Sequence, residues 1–373
     1  MGKKYALVLS GGGFKGAFQL GAIRHLRNNW KAITGQSSPM KFDIIAGVSV
    51  GSLNGAMIAT GQYHMLEKLW DDVFTNGGGV EIYNSDFIDS RGNINLDLDL
   101  LKKKFLPEIK LSPTLVFNYL FNKSKFQIQL LKLLKTSVGK RLSAFQALAN
   151  NIPLKEKLFA HIQRNKIPDD VHFCCGFVSL QDGLYHACSH HDFDSDADLV
   201  NAILASSAMP LIWQPVSSIN YRGKTIYHNV DGGVRNNSPL GDVINLINKD
   251  PIHNYHLFII NCSSGITPPA YQPWNIANIA FRSLADIAME EIFNNDLKTF
   301  FDINDMVQQA AEKNLILFKN NRTGNREALQ YFESTLIAPE QHIIGTTLDS
   351  NKAMLEQRIK HGMDRAALAF QKY

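Results

Sequence analysis

The chain has little of what would mark a membrane span, a disulfide framework or a metal centre. Its 373 residues include only four cysteines, Cys174, Cys175, Cys188 and Cys262. They lack metal-ligand or redox spacing and three fall in strand-like runs, so they read as small core residues in a reduced, cytoplasmic setting. No apolar run approaches the ~20 residues of a membrane span. The run Ala6-Leu7-Val8-Leu9 is too short for a signal h-region and reads as a first strand. Met1-Gly2 fails the myristoylation pattern because position 6 is Ala, where Ser or Thr is needed. Internal repeats and low-complexity tracts are absent. The net charge is a modest +4, but it is unevenly spread: residues 102–157 hold twelve Lys/Arg against Glu108 and Glu156, and the rest of the chain is acidic overall.

What is present is a globular composition, 45% hydrophobic and 19% charged, in a chain long enough for one large domain or two ordinary ones. Strands at 5–9 and 44–46 each lead through a glycine-rich turn into a helix, and a further helix is expected over 64–74. This alternation predicts an α/β fold with a mostly parallel sheet covered on both faces. The rhythm breaks over 76–150, which reads as an inserted helical cap. It returns with strands at 171–178, 184–188, 225–230 and 256–261, then a helical stretch over 275–312, strand pieces at 315–318 and 334–337, and a last helix at 351–370. The expected organisation is one domain over 1–373, with a core at 5–75 and 150–262 and a C-terminal helical extension from 263.

Three glycine motifs carry the chemistry. Gly47-Val48-Ser49-Val50-Gly51 fits G-x-S-x-G between a buried strand and a helix, the context in which the serine is exposed on a strained turn. Gly11-Gly12-Gly13-Phe14-Lys15-Gly16 has the spacing of a dinucleotide fingerprint. The first acid after it is Asp43, which precedes the second strand, so no residue is placed to hold a ribose. The P-loop order fails as well, since Lys15 precedes Gly16 and no Ser or Thr follows. There remains a row of backbone N–H groups at a helix start beside a cation, suited to an oxyanion. Asp231-Gly232-Gly233 follows a strand and offers a carboxylate base for Ser49, although by itself it is also an ordinary turn.

Together these motifs resemble the patatin-like phospholipases, in the order Gly11–Gly16, Gly47–Gly51, Asp231–Gly233. The stretch Ala205-Ser206-Ser207-Ala208-Met209-Pro210 resembles the small-residue segment that precedes the family's Asp strand. The resemblance covers about 5–75 and 150–262; residues 76–150 have no match, and Ser10 stands where many members have Asp. It implies a three-layer α/β/α fold with an inserted helical cap and a serine acyl hydrolase with a Ser49–Asp231 dyad. Gly11, Gly12, Gly13, Phe14, Lys15 and Gly16 would form the oxyanion loop. Neither cofactor nor metal would be needed, and the substrate would be a lipid or acyl ester. A soluble carboxylesterase or thioesterase acting on non-membrane esters is the alternative.

Three other features admit both a functional and an ordinary structural role. The run Ser189–Asp198 is rich in metal-ligand types but suits helix capping. His253, His256, His342 and His361 follow Asp231 in the order of a Ser-Asp-His triad, but none lies in a loop after a terminal strand. The basic segment 102–157 reads either as a solvated cap or as a peripheral contact with an anionic membrane surface, its lysines drawn to head groups and Phe105, Phe117, Tyr119, Phe121 and Phe126 entering the boundary. Nucleic acid is not expected, because no reading motif accompanies the charge.

Overall fold

The computed structural model describes residues 2–76, 81–85, 147–267, 282–320, 326–340 and 343–371, with a few isolated positions between them. The elements in chain order are β1 (Lys4–Leu9), α1 (Gly16–Thr34), β2 (Ile44–Gly47), α2 (Val50–Ala59), α3 (Tyr63–Thr75), α4 (Ile152–His161), β3 (His172–Ser179), β4 (Tyr185–Ser189), α5 (Asp196–Ser206), β5 (Val216–Tyr221), β6 (Lys224–Asp231), α6 (Leu240–Ile247), β7 (Tyr255–Ile260), α7 (Met289–Glu312, after a π-helical turn at Arg282–Ala288), β8 (Phe318–Asn320), β9 (Arg326–Ala328), β10 (Glu333–Ile337) and α8 (Lys352–Phe370). The expected cap over 76–150 lies almost wholly outside the described residues, as do Lys102, Lys103 and Lys104.

An eight-stranded sheet runs β10-β7-β1-β2-β3-β6-β5, with β4 also on β3. The pairs from β10 to β3 are parallel, and those of β3 with β4 and β6, and of β6 with β5, are antiparallel. Strands β1, β2 and β7 are continuous apolar runs because helices cover both of their faces. One face packs Leu7, Leu9, Ile45 and Phe258 against residues of α1, α2 and α8. The other packs Ala6, Val8, Ile44, Leu257 and Ile259 against Leu240 and Val243 of α6 and Phe293, Leu297 and Phe300 of α7. The fold is therefore a three-layer α/β/α sandwich on a mixed, mostly parallel sheet.

Strands β5 and β9 have no counterpart among the expected elements, and the strand piece expected at 315–318 lies at Phe318–Asn320. Strand β5 is interrupted by Ser217, Ser218 and Asn220, and the β8–β9 pair is exposed throughout, so neither shows an apolar period of two. Helices α1 and α8 meet backbone to backbone. A Cβ added at Gly21 would lie 1.9 Å from the Ile359 carbonyl oxygen, and one at Gly362 would lie 2.0 Å from that of Phe18.

One topological detail places the site. Residues 174–175 of β3 pair with β4 and with β2, and residues 177–178 pair with β4 and with β6. A strand has two edges, so β2 and β6 lie end to end on the same edge of β3. They run in opposite directions, and their carboxyl ends meet: Gly47 stands opposite Cys175 and Asp231 opposite Phe177.

Candidate active site

Ser49 follows β2 with φ 56 and ψ −129, a conformation that a residue with a Cβ rarely adopts. The turn is tight because both flanking glycines touch backbone. A Cβ at Gly47 would lie 2.1 Å from the Gly51 carbonyl oxygen, and one at Gly51 would lie 2.4 Å from that of Leu9. The Ser49 N–H donates to Ser206 Oγ at 3.1 Å, and the Ser52 hydroxyl donates to the Ser49 carbonyl at 2.6 Å. The strain is thus held by neighbours on α5 and α2, and the serine side chain faces the crevice at the strand ends.

Asp231 ends β6 and is fully buried. Its backbone N–H donates to the Ala208 carbonyl at 2.9 Å, and its Oδ1 accepts the Gly233 N–H at 2.7 Å. A Cβ at Gly232 would lie 2.3 Å from the Gly176 carbonyl oxygen, so only glycine lets this turn close on β3. Burial raises the carboxyl from its ordinary 3.8 to about 7, against the opposing pull of the Gly233 N–H and the Ser49 hydroxyl. The hydroxyl is near enough to act on the carboxyl, yet no hydrogen bond of 3.5 Å or less joins them, and Oδ2 has no partner. A small movement of Ser49 Oγ would bring the two together.

In the glycine loop, four of the six N–H groups are already engaged. Gly11 donates to the Asn237 carbonyl, Phe14 to Thr347, Lys15 to Gly12 and Gly16 to Gly13. Those of Gly12 and Gly13 donate to nothing among the described residues. Both have positive φ, 157 and 53, which turns their amides away from the helical ladder. Lys15 is not an exposed cation: it is buried and stands 3.8 Å from the equally buried Glu290, which also accepts from Ser263 Oγ at 2.5 Å.

Ser49 borders two cavities of different character. One, about 110 Å³, is an apolar channel walled by Val50, Leu53, Met57, Leu66, Trp70 and Leu158, among others. The second, about 30 Å³, has a mixed lining, with Lys15, Asn237, Glu290 and Thr347 beside Cys262 and Met289. Met209, in the small-residue segment, borders both.

The histidines lie elsewhere. His253 bonds Asp250, His256 bonds Thr335 and Glu333, and His361 accepts from the Glu340 N–H; His342 is outside the described residues. The run from Ser189 caps helices: Ser189 and Asp192 form a reciprocal capping pair, and Ser195 accepts from the Asp198 N–H. Among the described residues no group of His, Cys, Asp or Glu is arranged to hold a metal ion. Asn237, Thr347 and the channel residues of α2, α3 and α4 carry no local sequence signal, because their place depends on pairing between distant segments, whereas Ser206 falls in the small-residue stretch 205–210.

A family model described as Patatin-like phospholipase matches residues 7–244, a span that contains Ser49, Asp231 and the glycine loop. Among solved structures, the crystal structure of VipD from Legionella pneumophila is similar at 16% identity and a TM-score of 0.41, with 100% of this chain and 67% of that chain covered. No curated protein matches.

Proposed function

We propose that this chain, which belongs to the patatin-like phospholipase family, cleaves carboxylic ester bonds of lipids with Ser49 as nucleophile and Asp231 as base. The family places it among lipid acyl hydrolases in general; the assignment of roles is our reading of the geometry. The observation that carries it is the position of Ser49, on a strained turn where an apolar channel meets a buried carboxyl that titrates near neutrality.

In this reading the acyl chain lies in the channel and the ester carbonyl sits over Ser49. Ser49 Oγ attacks the carbonyl carbon while Asp231 takes the hydroxyl proton. The N–H groups of Gly12 and Gly13 receive the oxyanion. The carbon–oxygen bond to the leaving alcohol breaks, and Asp231 returns the proton to that oxygen. Water then attacks the acyl enzyme and gives a proton to Asp231. The fatty acid departs, and Ser49 recovers its proton from Asp231.

The test is a lipidomic comparison of mixed glycerophospholipid vesicles incubated with wild type or Ser49→Ala. Fatty acid and lysolipid released by wild type alone support the proposal. Turnover of a short-chain ester with no lipid consumed would favour an esterase of non-membrane substrates. Full activity in Asp231→Asn would refute the dyad.

A further inference from the structure

Among the described residues Arg358, on α8, is the largest side chain with no exposure. No carboxylate among the described residues forms an ion pair with it, although the Asp349 carboxylate is near enough to favour its charge. Its guanidinium instead donates to three carbonyls of a single turn: Nε to Ile344 at 2.8 Å, Nη1 to Asp349 at 2.6 Å and Nη2 to Thr346 at 2.8 Å. A buried cation is costly unless its donors are satisfied, and a planar fork suits three fixed acceptors where an ammonium does not. Burial draws its pKa down to about 10, so it is still charged at neutral pH.

The turn that Arg358 holds reaches the glycine loop. The Thr347 carbonyl accepts the Phe14 N–H at 3.0 Å. Thr347 also walls the loop, since a Cβ at Gly13 would meet both its Cγ2 and its carbonyl oxygen at 2.8 Å. Thr347 is itself buried and borders the smaller cavity beside Ser49. The loop is fixed on its other side through Gly11, whose N–H donates to the Asn237 carbonyl. Its two free amides therefore sit between two anchors, and one of those anchors is set by a helix far outside the residues that match the family model.

We propose that Arg358 is a positioning residue for the oxyanion loop: by clamping the 344–349 turn it fixes the Thr347 carbonyl, and through Phe14 it aims the N–H groups of Gly12 and Gly13. This rests on the assignment of those two amides as oxyanion donors. Loss of one such donor costs about 10²–10³ in kcat, and a displaced donor costs less. The expected loss is about 10- to 100-fold for Arg358→Met, with partial recovery in Arg358→Lys, which keeps the charge and loses the fork. KM should stay within about twofold, because the apolar channel that binds the acyl chain is untouched, and the acid limb set by Asp231 should not move.

Amide hydrogen exchange supplies a readout that needs no turnover. The peptide covering 10–17 should exchange faster in Arg358→Lys, while peptides of α8 and of β7 keep wild-type protection. If the Arg358 variants do not fold, Thr347→Gly loosens the same carbonyl without disturbing the buried cation and should show the same exchange signature with a smaller fall in kcat. A folded Arg358→Lys with wild-type kcat overturns the proposal, as does unchanged exchange over 10–17. Should the wild-type chain hydrolyse no ester, the proposed function fails, and the exchange measurement alone still decides whether the clamp exists.

Discussion

Replacing Asp231 by Asn should abolish activity and stabilise the protein, and the stabilisation should depend on pH in a calculable way. The carboxyl is completely buried and titrates near 7 in the native state, against an ordinary value of 3.8. Below pH 3.8 both states hold the proton and the site contributes no penalty. Between 3.8 and 7 the unfolded chain has released the proton and the native state has not. Wild-type stability then falls as pH rises, by about 1.4 kcal/mol per pH unit. Above 7 both states are ionised, the slope vanishes, and the native state bears the full cost of a buried charge, about 4 kcal/mol. Asparagine keeps the shape and an acceptor for the Gly233 N–H but has no proton to lose. Urea unfolding of both proteins at pH 5, 6, 7 and 8 isolates the effect, because every other titration is common to the two and cancels in the difference. The gap in unfolding free energy should widen by about 2 kcal/mol between pH 5 and 7, grow only slightly more to pH 8, and then level off. In parallel, wild-type kcat/KM should rise with pH to a plateau above about 7, since the base acts only when ionised. A stability gap that is the same at every pH would show that the carboxyl titrates alike in both states, and the argument for Asp231 as a tuned base would fall with it.

Gly12→Ala should lower kcat by about 10²–10³ with little change in KM, because the added Cβ would meet Cys262 Cβ at 2.6 Å at a φ of 157 and displace a donor; a pure KM effect in steady-state kinetics would assign the loop to binding. Leu158→Trp should narrow the channel and shift preference toward short acyl chains, by about tenfold in relative kcat/KM for every two methylenes excluded, at ~0.8 kcal/mol each; an unchanged chain-length profile would place the acyl chain elsewhere. Gly232→Ala should force the Asp231 turn off β3, admit water and move the acid limb of the pH–rate profile below 7; a fall in kcat with the limb still at 7 would separate the glycine from the base. Replacing Lys102, Lys103 and Lys104 by Gln should weaken sedimentation with phosphatidylglycerol vesicles and lower activity on them, sparing a short-chain ester; equal loss on both substrates would make the segment structural.

The three glycine motifs were readable in sequence because close backbone approach leaves a local trace. Gly47, Gly51 and Gly232 each face a carbonyl oxygen at 2.1–2.4 Å from where a Cβ would be, and such sites admit little else. The parallel half of the sheet was readable for a related reason, since strands buried on both faces are apolar throughout. The meeting of β2 and β6 was not, because it arises from an antiparallel strand entering the edge of β3 where a parallel one stops, a non-local pairing without a compositional signature. The same holds for the donors of the glycine loop. Six residues looked equivalent, and only the carbonyls of Asn237 and Thr347, from distant parts of the chain, help to divide engaged amides from free ones. Lys15 shows the opposite failure: a cation beside a glycine loop looks poised for an anion, yet Glu290, on α7, stands beside it in the interior.

The geometry also bears on why a serine could be activated here without a histidine. An aspartate in water, at 3.8, is too weak a base to draw a proton from a hydroxyl at neutral pH, whereas an imidazole near 6.5 is better matched. Burial moves Asp231 into the imidazole range, so in the proposed dyad depth in the fold would do the tuning that a change of residue type does in a Ser-His-Asp triad. That tuning needs two things at once: exclusion of water from the carboxyl, and few donors to stabilise its charge. The Asp-Gly-Gly turn contributes to both, closing flush against Gly176 and offering one N–H, that of Gly233, to Oδ1. Further strong donors would pull the pKa back down, so in the proposed dyad a sparingly hydrogen-bonded carboxylate is the better base. The penalty that the fold carries in ionising Asp231 and the basicity offered to Ser49 are, on this argument, the same free energy seen from two sides.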